Sequence, residues 1–207
     1  MTSRESVFGL IEAVKYLSKN QITGDVVECG VWRGGSMLAI AEVLMDLNDT
    51  TRKLYLYDTF EGMPKPTEHD KNFADKKAED MLLPNADKNE DWIWAYSPLD
   101  TVKQTMLLSN YPQNKLHFIK GKVEDTIPSV MPENICLLRL DTDWYESTKH
   151  ELVHLFPRLV KGGVLIIDDY GFWKGARQAV DEYLAENKVQ ILLVRLDATG
   201  RIAIKLN

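Results

Sequence analysis

The sequence has few cysteines and no excess of positive charge. Cys29 and Cys136 are the only cysteines among 207 residues. They lie far apart inside apolar runs, which is not the arrangement of a paired disulfide scaffold, so we expect a reducing compartment, the cytoplasm. The formal net charge of −6 argues against a protein that coats nucleic acid, because basic patches supply most of that affinity. The negative charge is compatible with a small-molecule or neutral substrate.

Membrane and secretion signals are also missing. The N-terminus has no basic stretch followed by an apolar one, and no apolar run approaches the ~20 residues of a membrane span. With 44% hydrophobic residues, the chain suits one domain with a sizeable core. We therefore expect a single domain over residues 1–207 and no membrane partner.

Short, almost wholly apolar strands alternate with helical segments along the chain. This pattern is typical of a parallel sheet that is covered on both faces. The closing segments 189–196 and 201–206 flank a turn at Gly200 and predict a hairpin. The sequence thus predicts a doubly wound, Rossmann-like α/β domain with a mostly parallel sheet and a C-terminal antiparallel hairpin. The five parallel strands are predicted at 26–28, 54–57, 116–119, 135–140 and 164–167.

Between residues 62 and 97 the pattern gives way to charges, prolines and scattered aromatic residues. So long an irregular stretch in a compact domain is usually a lid or a binding loop. We therefore expect a lid at about 62–97 that excludes water from a ligand. Its Trp92, Trp94 and Tyr96 could stack on a ring or pack the lid onto the domain.

Every predicted parallel strand has at least one acid at or after its carboxyl end. In doubly wound sheets, ligands bind beyond the carboxyl ends of the strands, where the strand order reverses. The sequence therefore predicts a ligand site at this edge. The acids are Glu28, Asp58, Glu124, the pair Asp141 and Asp143, and the pair Asp168 and Asp169.

The turn after the first strand brings glycines to a helix N-terminus, where backbone N–H groups can approach a ligand. A dinucleotide site would have Gly-x-Gly-x-x-Gly here, whereas this turn begins with Glu28. A carboxylate repels a diphosphate but suits a ligand with an ammonium group, such as S-adenosylmethionine. Asp58 ends the next strand, where an acid typically accepts hydrogen bonds from ribose hydroxyls. The alternative is a pair of tight turns without a ligand.

Asp141, Asp168 and Asp169 predict a metal site. Carboxylates that converge with no lysine or arginine between them repel one another and raise one another's pKa. A divalent cation removes this repulsion, and oxygen ligands favour Mg²⁺, Ca²⁺ or Mn²⁺ over zinc. The alternative is that one or two of these acids cap the following helices.

At these residues the sequence resembles the macrocin O-methyltransferase family, which includes sugar and aminocoumarin methyltransferases of antibiotic biosynthesis. The matching segments are 27–36, 57–64, 138–148 and 163–171, and the resemblance runs from about Asp25 to Tyr183. The loop 121–128 also resembles the adenine-binding segment of catechol-type methyltransferases, which are likewise metal-dependent.

The resemblance implies an S-adenosylmethionine- and Mg²⁺-dependent O-methyltransferase that acts on a hydroxyl of a sugar or glycosylated natural product. Asp141, Asp168 and Asp169 would hold the Mg²⁺, and Asp143 would be the general base. Some family members dimerise, so a homodimer stays open. The implied residues for the methyl donor are Glu28, Gly30 and Ser36 for its amino-acid end, Asp58 for the ribose, Val123 and Glu124 for the adenine, and in addition Thr59 and Asp141.

Several alternatives stay open. A catechol-type phenol methyltransferase usually has a lysine near the position of Asp143, and none occurs here. A nicotinamide-dependent oxidoreductase shares the fold class but not the glutamate in the first turn. A non-catalytic module that binds S-adenosylmethionine would not need Asp143. Residues 150–154 match the zinc-protease pattern His-Glu-x-x-His, but no third ligand follows, so we expect two partly exposed histidines.

Overall fold

The computed structural model describes residues 2–82 and 94–207. Seven strands form one mixed sheet, with neighbouring strands in the order β3-β2-β1-β4-β5-β7-β6. The four pairings from β3 to β5 are parallel, and β7 runs antiparallel to β5 and β6. The strands are β1 (Asp25–Cys29), β2 (Leu54–Asp58), β3 (Leu116–Lys120), β4 (Ile135–Leu140), β5 (Leu159–Ile167), β6 (Val194–Arg195) and β7 (Arg201–Ile204).

Helices cover both faces of the sheet, and each face has its own apolar core. Helices α1, α2 and α4 pack on one face, where Leu10, Met37 and Met106 are buried. Helices α5, α6 and α7 pack on the other, where Leu152 and Tyr183 are buried. The predicted fold is therefore confirmed. The helices are α1 (Arg4–Lys19), α2 (Gly35–Asp46), α3 (Ala78–Leu82), α4 (Leu99–Leu107), α5 (Val123–Thr126), α6 (Tyr145–Leu155) and α7 (Lys174–Glu186).

The strand order reverses between β1 and β4. From β1 the chain adds β2 and β3 outward on one side, and then crosses over to place β4 on the other side of β1. Helices connect these strands on opposite faces, which leaves a crevice at their carboxyl ends. At that edge the amide of Asp141 donates to the carbonyl of Cys29 at 2.9 Å, and the amide of Gly30 donates to that of Tyr57 at 2.8 Å.

Two segments differ from the sequence prediction. The hairpin is shorter than 189–196 and 201–206, because only 194–195 pair with the last strand. Part of the segment predicted as a lid is regular: it contains α3, and Asn72 forms a β-bridge with Trp173. Trp92 lies outside the described residues. Within the described ranges, we find no helix that is both long and apolar enough to cross a membrane.

Candidate functional site

A cavity of about 300 Å³ lies at the carboxyl ends of the parallel strands. Two predicted site residues, Glu28 and Ser36, are not among the residues that line it, and they are 1% and 8% exposed. The structure therefore brings the predicted strand ends together at one site. The predicted residues that line the cavity are Gly30, Asp58, Thr59, Val123, Glu124, Asp141, Asp143, Asp168 and Asp169.

Asp58, at the end of β2, binds the backbone of the glycine turn, the glycine-containing turn that follows β1. Its Oδ2 accepts hydrogen bonds from the backbone amides of Val31 and Trp32, at 2.9 and 3.0 Å. Its Oδ1 accepts from the amide of Phe60 at 2.7 Å. Burial raises the pKa of Asp58, although these amide hydrogen bonds act in the opposite direction. Since each carboxylate oxygen has two lone pairs, Asp58 keeps acceptor capacity for a ligand hydroxyl.

An arginine lies between the predicted acids. Arg139 is 2% exposed, and its Nη1 donates to Glu28 Oε1 at 2.6 Å and to Asp141 Oδ2 at 2.5 Å. Its Nη2 donates to Asp168 Oδ1 at 2.6 Å. The expectation that no lysine or arginine separates the carboxylates is therefore wrong. Burial nevertheless raises the pKa of Glu28 to about 7, with Arg139 acting against the shift.

Strand alternation explains why Arg139 meets these acids. Arg139 is paired in register with Glu28 of β1 and with Ile166 of β5. Side chains two residues apart on a strand share a face, so Asp141 and Asp168 follow on the same side as Arg139. Sequence reasoning missed Arg139 because the run 135–140 is otherwise apolar. A single arginine inside a buried strand was the available signal.

Three acids form the most compact group. Asp141, Asp143 and Asp169 each place a carboxylate oxygen within 4.8 Å of the other two, and no other group of three acid, histidine or cysteine ligands was found in the described residues. Burial raises the pKa of Asp143 to about 7 and the pKa values of Asp141 and Asp169 well above their usual range, and neighbouring carboxylates add to each shift. Such a group favours a cation. It contains Asp143 where the predicted metal set had Asp168.

Aromatic side chains form another wall that the sequence prediction did not include. Phe172 and Trp173 line the cavity, and their ring centroids are 4.9 Å apart. Trp173 also meets Trp144 edge-on at 4.9 Å, and Trp144 Nε1 donates to the carbonyl of Pro64 at 3.1 Å. Phe172 and Trp173 follow the acids of β5 within four residues, which was the signal available in the sequence.

The segment 150–154 does not form a zinc site within the part of the chain that is described, because the group of three acids contains neither histidine. His150 and His154 are partly buried, and their ring centroids are 4.5 Å apart. A ring nitrogen of His150 lies 3.0 Å from the carbonyl oxygen of Ile127. Glu151 lies on another face of α6 and is fully buried.

Known proteins resemble this chain in sequence and in fold. The chain is 35% identical over 86% of its length to 8-demethyl-8-(2,3-dimethoxy-alpha-L-rhamnosyl)-tetracenomycin-C 4'-O-methyltransferase of Streptomyces olivaceus, of which it covers 65%. It is 31% identical over 91% of its length to demethyldecarbamoylnovobiocin O-methyltransferase of Streptomyces niveus, of which it covers 69%. The solved structure of the O-methyltransferase NovP superimposes with a TM-score of 0.84 at 28% identity, covering 98% of this chain and 80% of that one.

The chain thus spans about two thirds of the length of these curated relatives. The model of the macrocin-O-methyltransferase (TylF) family matches residues 1–203. The fold, the strand-end acids and this match agree with one another. The chain therefore belongs to the macrocin-O-methyltransferase family.

Proposed function

We propose that this chain transfers a methyl group from S-adenosylmethionine to a hydroxyl of a glycosylated natural product, with the help of a divalent cation. The observation that carries the proposal is the convergence of Asp141, Asp143 and Asp169 in the cavity that also contains the end of the glycine turn. Membership of a methyltransferase family supports the reaction type. The names of the relatives support the acceptor class, since one is named for a rhamnosyl tetracenomycin and one for a novobiocin derivative.

The residues around the glycine turn fit the methyl donor. Glu28 Oε2 is buried and has no hydrogen-bond partner in the described part of the chain, so it can accept from a ligand ammonium group. We propose that Glu28, Gly30, Ser36 and Asp141 hold the amino-acid end. Asp58 and Thr59 would hold the ribose. Val123 and Glu124 line the cavity on the side of β3 and would contact the adenine.

The acids of β4 and β5 fit a hard divalent cation. They offer only oxygen ligands, and their raised pKa values reflect burial and mutual repulsion, which a cation relieves. We propose Asp141, Asp168 and Asp169 as the ligands of Mg²⁺. A cation bound there would lower the pKa of a coordinated hydroxyl. Arg139 already neutralises part of the charge on Asp141 and Asp168.

We propose Asp143 as the general base because of its position in the cavity. The acceptor oxygen attacks the methyl carbon while the carbon–sulfur bond breaks, giving a methyl ether and S-adenosylhomocysteine. The hydroxyl proton passes to the carboxylate of Asp143, which lines the cavity. We propose that residues 62–97 form a lid over this step, since Met63, Pro64 and Ala95 line the same cavity.

The test has a binding arm and a turnover arm. Isothermal calorimetry should detect S-adenosylmethionine binding and no comparable binding of NAD. Release of S-adenosylhomocysteine is then measured with phenyl α-L-rhamnopyranoside and with catechol, each with Mg²⁺ and with EDTA. We expect turnover of the rhamnoside that EDTA abolishes. Turnover of catechol alone would favour a phenol acceptor. Turnover that EDTA leaves unchanged would contradict the proposed requirement for a divalent cation. Donor binding without turnover of any acceptor would favour the non-catalytic module.

A further inference from the structure

The His-Glu-x-x-His segment of α6 brings its glutamate, and not its histidines, next to the candidate site. Glu151 is 0% exposed, and its carboxyl group interacts with Cys29, the last residue of β1. Its Oε1 accepts a hydrogen bond from Thr142 Oγ1 at 3.0 Å. Within residues 2–82 and 94–207, no lysine or arginine forms an ion pair with Glu151. Burial of an acid without a basic partner is costly, which points to a specific role for Glu151.

Thr142 opens a tight turn that presents Asp143. The amide of Trp144 donates to the carbonyl of Thr142 at 2.8 Å, so the turn has only three residues. Asp143 at its centre has a φ of +69°, in the left-handed region. A three-residue turn with positive φ at a non-glycine centre is rare and strained, and it persists only where the surroundings hold it. The turn therefore needs anchors.

Two side chains besides Glu151 anchor this turn. The amide of Asp143 donates to Asp169 Oδ2 at 3.1 Å, and Ser147 Oγ lies 3.5 Å from the carbonyl oxygen of Thr142. The contact from Glu151 differs from both, because it fixes the Thr142 side chain from the protein interior. Thr142 itself lines the cavity, whereas Glu151 does not. Glu151 thus contacts the turn from the protein interior and not from the cavity.

The surroundings of Glu151 disfavour its charged form. Burial raises the pKa of its carboxyl group well above the usual range; the Thr142 hydrogen bond opposes this shift, and the nearby Glu124 and Asp169 add to it. A neutral carboxyl group accepts from Thr142 at one oxygen and adds no negative charge to the acid-rich site. A glutamine has nearly the same shape and keeps the acceptor, so it is the matched replacement.

We propose that Glu151 is a positioning residue of the reaction, whose carboxyl group fixes Thr142 and thereby the turn that presents Asp143. The inference rests on the proposed function, in which Asp143 accepts the proton. Because the turn is strained, release of Thr142 lets Asp143 leave its reactive orientation. A misplacement of about 1 Å can lower a rate by up to about 10²-fold.

The test compares three substitutions at this contact with one on the opposite side of α6. Glu151→Met and Thr142→Val remove the hydrogen bond with little change of volume, whereas Glu151→Gln keeps it. Glu146→Met is the control, because Glu146 is exposed on the same helix. With phenyl α-L-rhamnopyranoside we expect kcat to fall about tenfold in Glu151→Met and in Thr142→Val. The double variant should fall no further, because both changes break one interaction.

Glu151→Gln should stay within about threefold of the wild-type kcat, and KM for S-adenosylmethionine should change less than about twofold throughout. Substitution of a residue that only stabilised the fold would change the melting temperature, but it would not lower kcat while KM for S-adenosylmethionine stayed constant. A wild-type kcat in Glu151→Met, losses that multiply in the double variant, or failure of glutamine to rescue would each overturn the inference.

A second measurement does not depend on turnover. In ¹H–¹⁵N spectra, Glu151→Met and Thr142→Val should both shift the amide signals of residues 142–144, and Glu151→Gln and Glu146→Met should not. Unshifted signals in Glu151→Met would overturn the inference even in an active enzyme. If the wild type transfers no methyl group, the proposed function fails, and these spectra alone decide whether Glu151 fixes the turn.

Discussion

The backbone of Gly30 lies against the carbonyl group of Asp141, so closely that a β-carbon at position 30 would overlap the carbonyl oxygen. Gly30 also has a φ of +81°, which L-residues rarely adopt. This contact joins the turn after β1 to the turn after β4. It therefore couples the proposed methyl-donor turn to the proposed metal site.

We expect Gly30→Ala to destabilise the protein and to abolish S-adenosylmethionine binding. The strained φ and the overlap should together lower the free energy of unfolding by about 2–5 kcal/mol. Gly35→Ala is the matched control, because a β-carbon at position 35 meets nothing within 4 Å and Gly35 begins α2. Thermal unfolding of the two variants checks the prediction. Equal melting temperatures would show that the backbone moves to accommodate the methyl group.

Arg139→Met should lower the free energy of unfolding by about 3–5 kcal/mol, because it leaves the buried Glu28 and its neighbours without their cation. In addition, Mg²⁺ should raise the melting temperature of this variant more than that of the wild type, since the released carboxylates gain a new partner. The control is Arg177→Met, which removes a half-exposed pair with Asp181 and should cost less than about 1 kcal/mol. A response to Mg²⁺ equal to that of the wild type would contradict the role of Arg139 as the internal cation.

Gly30 and Arg139 show which parts of the candidate site can be predicted from the sequence. Hydrophobic patterning predicted the order of strands and helices, and the parallel topology then required the strand-end acids to share one edge. Patterning could not predict which side chains meet there. Arg139 was absent from the predicted site because its contacts depend on the register of β4 against β1 and β5. The sequence did not predict the burial of Glu151, because the rotation of α6 is set by packing.

Stability should depend on pH through Asp197. Burial opposes the shift, but hydrogen bonds from Ser3 Oγ and from the amide of Gly200, together with those from Ser6 and Thr199, lower the pKa of Asp197. A carboxyl group whose pKa is lowered on folding adds stability above its unfolded pKa of ~3.9, and this stability is lost as the pH falls toward the folded pKa.

Asp197→Asn should therefore cost about 1–2 kcal/mol at pH 7, since hydrogen bonds to a charged group are lost. The difference from wild type should shrink as the pH falls below ~4. Asp100→Asn, at an exposed position on α4, serves as the control and should show no such trend. Urea unfolding at several pH values measures both. A constant difference between Asp197→Asn and wild type would rule out the charge as the cause.

Mn²⁺ binding distinguishes the role of Asp143 from that of Asp168. The proposed ligands are Asp141, Asp168 and Asp169, whereas the most compact oxygens belong to Asp141, Asp143 and Asp169. If Arg139 releases Asp168 to the cation, Asp168→Asn should weaken Mn²⁺ binding by more than about tenfold. Asp143→Asn should then leave Mn²⁺ binding nearly unchanged and lower kcat by about 10²–10⁴-fold, as expected for a lost general base.

Mn²⁺ titration followed by electron paramagnetic resonance measures the affinity for the cation without any acceptor. The reverse pattern, with Mn²⁺ binding lost in Asp143→Asn and kept in Asp168→Asn, would make Asp143 a ligand and leave Asp168 as the permanent partner of Arg139.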